Sequence, residues 1–251
     1  MDKFEVRVIC EKQSSNWSWG SVMHGMLIDH LTDEWKERMH DDTIRPLSQW
    51  VEPKNSTEFL WHIQVLDDEL GKQIQNELIL GKEWFCKHLQ CSMKAEAVQF
   101  TQMKFYDYMS PFFEMESACD GVFIHFRTPT THRSQGRYVV FPSVELIAQS
   151  VNRRICEIDP GFALEDEEAL DQVIRYTRIG RYSLNSARYA LEGAGLPGYI
   201  GNIELRFSGP DPLKRLAGVL FGFAPWSGIG VKTALGMGGC SANVIKRKEM
   251  P

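Results

Sequence analysis

Seven histidines, at positions 24, 30, 40, 62, 88, 125 and 132, are the side chains of this sequence best suited to moving a proton near neutral pH. Imidazole titrates in that range and serves as acid or base. No two of them stand at a metal-ligand spacing such as His-x3-His, and Cys86-x4-Cys91 has no second cysteine pair to complete a site. Neither a metal nor a cofactor is therefore expected. His62 and His125 alternate with apolar residues in strand-like runs, and His88 sits in a mixed strand, so these three read as structural. His30 lies one helical turn from Met26 and reads as cover for the core edge. His40 is followed by Arg45 in a polar loop, which sets a proton carrier and a bidentate anion ligand on one segment.

A second constellation lies near the C-terminus. Glycines at 222, 228, 230, 236, 238 and 239 surround Lys232, Ser227 and Thr233. Glycine admits positive φ and close backbone approach. Successive N–H groups in such a turn can ring an anion, with a lysine adding a point charge. Neither familiar phosphate loop fits: Val231 separates Gly230 from Lys232, and Thr233 stands where a dinucleotide fingerprint needs its third glycine. The order is wrong as well. The apolar face of Asp211 to Phe223 predicts a helix before the loop, and Met237 to Ile245 a strand after it.

The string Gly228-Ile-Gly230-Val-Lys-Thr-Ala-Leu-Gly236-Met-Gly238 closely resembles the C-terminal glycine-rich loop of the CRISPR-associated repeat-processing endoribonucleases, members of the RAMP superfamily. His24-Gly25, and Met39-His40-Asp41 running to Arg45-Pro-Leu-Ser48, resemble the N-terminal signature of the same family. So does the strand ending Thr128-Pro-Thr130, with its loop to Phe141-Pro142-Ser143. The resemblance implies an endoribonuclease that cuts precursor crRNA within the repeat without metal, leaving 2′,3′-cyclic phosphate and 5′-OH ends. Family members place their catalytic histidine at one or the other of two positions, here His24 and His40. Arg45 departs from the lysine or tyrosine often used as a third group and serves either in catalysis or in binding. The expected RNA-binding set is Lys232, Gly228, Gly230, Ser227 and Thr233 in the loop, with Arg133 and Arg137 in the basic loop 127–137. His132, in the same basic loop, is expected to touch RNA rather than to catalyse. The implied partners are CRISPR repeat RNA and a CRISPR effector complex, with the chain a monomer or homodimer. An alternative is a non-catalytic RAMP subunit that only holds guide RNA. A third reading is an unrelated two-domain protein whose glycines close a tight turn.

Composition is compatible with all three. The chain has 251 residues, 43% of them hydrophobic, and a formal net charge of −5. That balance argues mildly against a nucleic-acid partner, but the charges are segregated. Acid collects in Asp29–Asp42 and around Glu165–Glu168, and base in Arg127–Arg137, Arg153-Arg154, Arg175–Arg188 and Lys246–Lys248. No apolar run reaches membrane-spanning length and the start has no signal-peptide form, so a cytoplasmic protein with reduced cysteines and no membrane partner is expected.

The elements that must position these residues follow from periodicity. Phe4, Val6, Val8 and Cys10 predict a strand; Met23, Leu27, Leu31, Trp35 and Met39 predict a helical stripe. Thr32-Asp33-Glu34 interrupts that stripe with a helix-start signal, giving two helices, about 20–31 and 33–40. In one straight helix His24 and His40 would stand roughly 24 Å apart, and the bend lets them approach. A strand at 59–65, a helix at 68–80 and strands at about 83–89 and 93–107 complete the first half. The second half is read as a strand at 121–126, a helix after Pro142, a weakly alternating run at 174–191, a strand at 200–207, then the helix, glycine loop and last strand. Each half follows βαββαβ. The fold class is therefore α+β, two tandem ferredoxin-like (RRM-like) domains at 1–115 and 116–251. No aromatic-rich strand of the RNA-recognition type is present, so base stacking on the sheet is not expected.

Overall fold

The alternation at the N-terminus becomes strand β1 (Asp2–Cys10), with Phe4, Val6, Val8 and Cys10 all buried. The structure, a computed structural model, describes residues 1–11, 16–41, 46–78, 81–114, 118–162, 164, 166–191 and 193–246. Two compact units emerge. The first comprises residues 1–102 together with 189–196 and 232–237; the second comprises 103–188, 197–231 and the chain from 238 onward.

In the first unit β1 leads into α1 (Trp19–Asp29) and α2 (Asp33–Asp41). The break falls at the predicted place, with Asp33 and Glu34 in the first turn of α2. Strands β2 (Leu47–Pro53) and β3 (Glu58–Val65), helix α3 (Asp68–Glu77), and strands β4 (Glu83–Cys86) and β5 (Cys91–Gln102) follow. Asp67 starts α3 by accepting from the N–H groups of Glu69 and Leu70, each at 2.9 Å. The antiparallel sheet has the order β2-β3-β1-β5-β4, with Val6 of the central strand opposite Trp61 on one side and Val98 on the other. Without the edge strand β4 this is the ferredoxin-like order. The helical stripe of Met23, Leu27, Leu31, Trp35 and Met39 is buried with Phe4, Trp61 and Ile63 in one core. Full burial of each such side chain contributes about 1.5–3 kcal/mol.

The second unit contains α4 (Phe105–Glu114), β6 (Gly121–Thr130), a hairpin of β7 (His132–Ser134) and β8 (Arg137–Val139), α5 (Val144–Ile158) and α6 (Glu167–Arg175). The long strands β9 (Thr177–Leu191) and β10 (Ala194–Phe207) follow, then α7 (Asp211–Gly222), the short α8 (Ala224–Ser227) and β11 (Cys240–Ile245). The end of β9 and the start of β10 fall within the first unit. The sheet order β11-β6-β10-β9 is again ferredoxin-like.

Two helices depart from the sequence expectation. Residues 105–107, expected to end a strand, begin α4, because Phe105 packs edge-to-face on Phe162 and Phe223 with ring centroids 5.5 and 5.7 Å apart. The acidic run before 175 forms α6, capped by Asp166 accepting from the Glu168 N–H at 2.9 Å. Among the described residues no helix is long and apolar enough to cross a membrane.

Candidate functional site

The segment 232–237 of the glycine loop packs, within the first unit, on the N-terminal turn of α1. The contact is backbone to backbone. A Cβ on Gly20 would sit 2.7 Å from the Gly236 Cα, and one on Gly236 would sit 2.8 Å from the Gly20 Cα. Gly236 also has φ +102°, a conformation other residues rarely adopt. Gln49 of β2 fixes this approach from beneath. Its Nε2 donates to the carbonyls of Gly20 (2.6 Å) and Ala234 (2.9 Å), and its Oε1 accepts from Trp61 Nε1 (2.8 Å). The Tyr189 hydroxyl donates to the Leu235 carbonyl at 2.5 Å, and burial pushes its pKa well above the usual tyrosine value.

His24 lies four residues after Gly20, one turn further along the same side of α1. It is half-buried, with Nδ1 inaccessible to solvent. His40 is in the last turn of α2, which Trp35 and Met39 anchor in the core. The side chain of His40 and the whole of Arg45 lie outside the described residues. Lys232 is exposed and has φ +59°, ψ +33°. Its carbonyl accepts from Leu235 N at 2.9 Å and Met237 N at 3.3 Å, closing a single 3-10 turn over Thr233–Leu235. Thr233 is only 2% exposed, which leaves Lys232 as the outward side chain of the pair.

In the second unit both ends of the loop run along the end of β6. Val231 N donates to Thr131 O (3.0 Å), Gly238 N to Pro129 O (3.2 Å) and Gly239 N to Thr128 Oγ1 (2.9 Å). Gly230 N donates to Ser150 Oγ at 2.8 Å, and a Cβ on Gly230 would lie 2.2 Å from Thr131 O. Ile229 N and Gly228 N donate to Gly238 O and Ala224 O. The Thr-Pro-Thr segment and the glycine loop, noticed separately in the sequence, are thus one hydrogen-bonded construction. The expected ring of anion-binding N–H groups does not form at these six positions, because each N–H is taken by an acceptor of the protein. Ser227 is 1% exposed and donates to the Gly228 carbonyl at 2.8 Å, so its hydroxyl is turned inward.

Arg133 and Arg137 are exposed on the β7–β8 hairpin, whose turn uses positive φ at Gln135 and Gly136. His132 corrects the sequence reading. It is 3% exposed, with Nε2 3.0 Å from the Tyr199 hydroxyl, and burial lowers its pKa to about 4. The physical reason is strand alternation: β7 turns Arg133 outward and His132 inward. His62 is also buried, stacked on Trp50, and each ring nitrogen lies 3.3 Å from a carboxylate, of Glu5 and Glu52. Its pKa is lowered because burial outweighs those carboxylates. Among the described residues no three His, Cys, Asp or Glu side chains converge as a metal site would require. Gln49 and Tyr189 escaped the sequence reading. Nothing in a strand sequence marks a buried glutamine, and Tyr189 is the last tyrosine of a weakly patterned run.

Comparison with known proteins bears on this arrangement. The family described as CRISPR-associated endoribonuclease Cas6 matches residues 124–240, from β6 to the first residue of β11. The CRISPR-associated endoribonuclease Cas6 of Streptococcus thermophilus is 28% identical over 217 residues, covering 86% of this chain and 88% of that protein. The Cas6 of Mycobacterium tuberculosis is 22% identical over 240 residues, covering 92% and 73%. The chain is similar to the Cas6 endoribonucleases over most of its length. A solved Cas6 product complex superposes with a TM-score of 0.81 at 19% identity, covering 96% of this chain and 99% of that one, and so shares its fold. The matched span contains both the Thr-Pro-Thr segment and the glycine loop that packs on it.

Proposed function

We propose that this chain is a Cas6 endoribonuclease that cuts CRISPR precursor RNA within the repeat, without a metal ion, by general acid–base catalysis. A histidine takes the proton from the 2′-OH, the 2′-oxygen attacks the adjacent phosphorus, and the 5′-oxygen leaves with a proton from a second group. The products are a 2′,3′-cyclic phosphate and a 5′-OH. His40 and His24 are the proton carriers in this reading. Arg45 and Lys232 are the cations for the phosphorane charge, and Arg133 and Arg137 contact the RNA backbone.

The observation that carries the proposal is the Gly20–Gly236 contact. It holds the helix bearing His24 against the turn bearing exposed Lys232, so a titrating group and a cation share one rigid support. Closely packed backbone, with Gln49 beneath, is the kind of support on which catalytic geometry survives to fractions of an ångström.

The test is cleavage of the repeat RNA in EDTA. Cleavage is expected to proceed unchanged, and a 2′-deoxy substitution 5′ of the scissile phosphate should abolish it by removing the nucleophile. At least one of His40→Ala and His24→Ala should slow single-turnover cleavage about 100-fold or more while leaving RNA affinity nearly unchanged. Strict dependence on Mg²⁺ or Mn²⁺, or full activity in the double variant, would refute this mechanism. Tight binding of the repeat with no cleavage by wild type would instead make the chain a guide-RNA-binding subunit.

A further inference from the structure

Two stretches of the second unit carry base and no acid. From Arg127 to Val144 the charged residues are Arg127, Arg133 and Arg137; from Gln172 to Leu191 they are Arg175, Arg178, Arg181 and Arg188. A chain of net charge −5 thus concentrates seven arginines in two short segments. The structure joins those segments through an aromatic pair. Phe141, just after β8, and Tyr182, on the edge strand β9, stand edge-to-face with ring centroids 5.8 Å apart and planes at 90°.

Both rings are exposed, Phe141 at 53% and Tyr182 at 63%. An edge-to-face pair uses only one face of one ring, so ring surface remains open. Tyr138 on β8 is exposed as well and stands opposite Arg133 in the hairpin register, on the same face. Arg178 shares the face of Tyr182 by the two-residue period of the strand. Arg133, Arg137, Arg178 and Arg181 are exposed and make no ion pair among the described residues.

We infer that Phe141 and Tyr182 form a stacking platform for an unpaired nucleotide of the RNA, with the surrounding arginines holding its phosphates. The inference rests on the proposed function for the identity of the RNA. Open aromatic faces among unpaired cations suit a ligand that is both flat and anionic. A nucleotide is both, whereas an apolar protein surface would leave the arginines without counter-charge. The base must be unpaired, because an A-form duplex keeps its base faces inside the stack. The platform is tolerant of base identity, since every base offers a π-face. It lies on the rim of the unit, at an edge strand and a hairpin, and so does not require the aromatic-rich central strands that the sequence lacks.

The experiment uses the full chain and its repeat RNA made uncleavable by a 2′-deoxy group, with 2-aminopurine placed in turn at each unpaired position. Binding of wild type should quench 2-aminopurine at one position. Phe141→Ala and Tyr182→Ala should each lose that quench and weaken binding about 5- to 150-fold. Tyr182→Phe should keep both. The aromatic variants should retain the wild-type salt slope, whereas Arg178→Ala should flatten it by up to about one ion. A blunt, fully paired RNA should bind wild type and aromatic variants alike. Unchanged quench and affinity in both alanine variants would overturn the platform, as would equal losses on the paired RNA. Intact RNA binding with loss of a protein partner in the effector complex would assign the patch to protein docking and also overturn it. Cleavage is read separately: a wild type that quenches but does not cut refutes the proposed nuclease and leaves the platform standing.

Discussion

Gln49→Leu removes the polar node beneath the candidate site while nearly conserving side-chain volume. Three hydrogen bonds disappear: two from Nε2, to Gly20 O and Ala234 O, and one from Trp61 Nε1 to Oε1. Trp61 is fully buried, so its N–H is left with neither Gln49 nor water as acceptor. An orphaned buried donor costs about 1–3 kcal/mol. Each of the two carbonyls loses one bond and adds roughly 0.5–1.5 kcal/mol. The total is about 2–6 kcal/mol, a large part of the 5–15 kcal/mol typical of a folded domain. Urea unfolding should therefore show a lower midpoint at nearly constant slope. At temperatures where the variant is still folded, single-turnover cleavage should fall by about tenfold or more, because α1 and the 232–237 turn are no longer pinned together. Gln49→Glu separates geometry from charge: it keeps an acceptor for Trp61 but sets a carboxylate against two carbonyl oxygens, and should do no better than leucine. A leucine variant with wild-type stability and rate would refute the idea that Gln49 organises this site.

Two further outcomes follow from named groups. His132 has its pKa lowered to about 4 by burial, below the ordinary 6.5, so the unfolded chain takes up its proton first and stability falls as pH drops from about 6.5 toward 4. Between pH 7 and pH 5 this should account for about 2 kcal/mol of unfolding free energy, a slope that His132→Asn should abolish; an unchanged slope in that variant would refute the assignment. Lys232 has φ +59°, and the two other described non-glycine residues with positive φ, Gln90 and Gln135, close hairpin turns. Lys232→Gly should relieve strain, leave stability unchanged or raise it by about 1 kcal/mol, and weaken RNA binding with a salt slope shallower by about one ion; undiminished binding would make the lysine incidental.

The parts of the fold legible in the sequence are those where one periodicity has no competitor. Strand β1 alternates cleanly, and Thr32-Asp33-Glu34 breaks the apolar stripe where α1 gives way to α2. Helix α4 was hidden because Phe105, Tyr106, Tyr108, Phe112 and Phe113 are residues that favour strands when read locally. Burial of Phe105 and Phe112 overrides that preference, a decision made by residues far away in sequence.

The candidate site divides along the same line. Glycine spacing announced positive φ, and Gly228, Gly230, Gly236 and Gly238 all have it. Spacing is silent about where each N–H goes, and six of them serve the fold rather than a ligand. What the loop supplies is therefore a shape. Within the first unit, glycine at 236 lets the backbone touch α1, and in the turn that this contact fixes Lys232 is held outward in a conformation that would suit glycine. A loop made only to close a turn has no physical need of a strained, exposed cation at that position. Strain is tolerated where the surrounding structure over-determines it, and such positions gather at functional sites. Gly236 fixes the backbone of this turn against α1, and the lysine is what that fixed backbone presents.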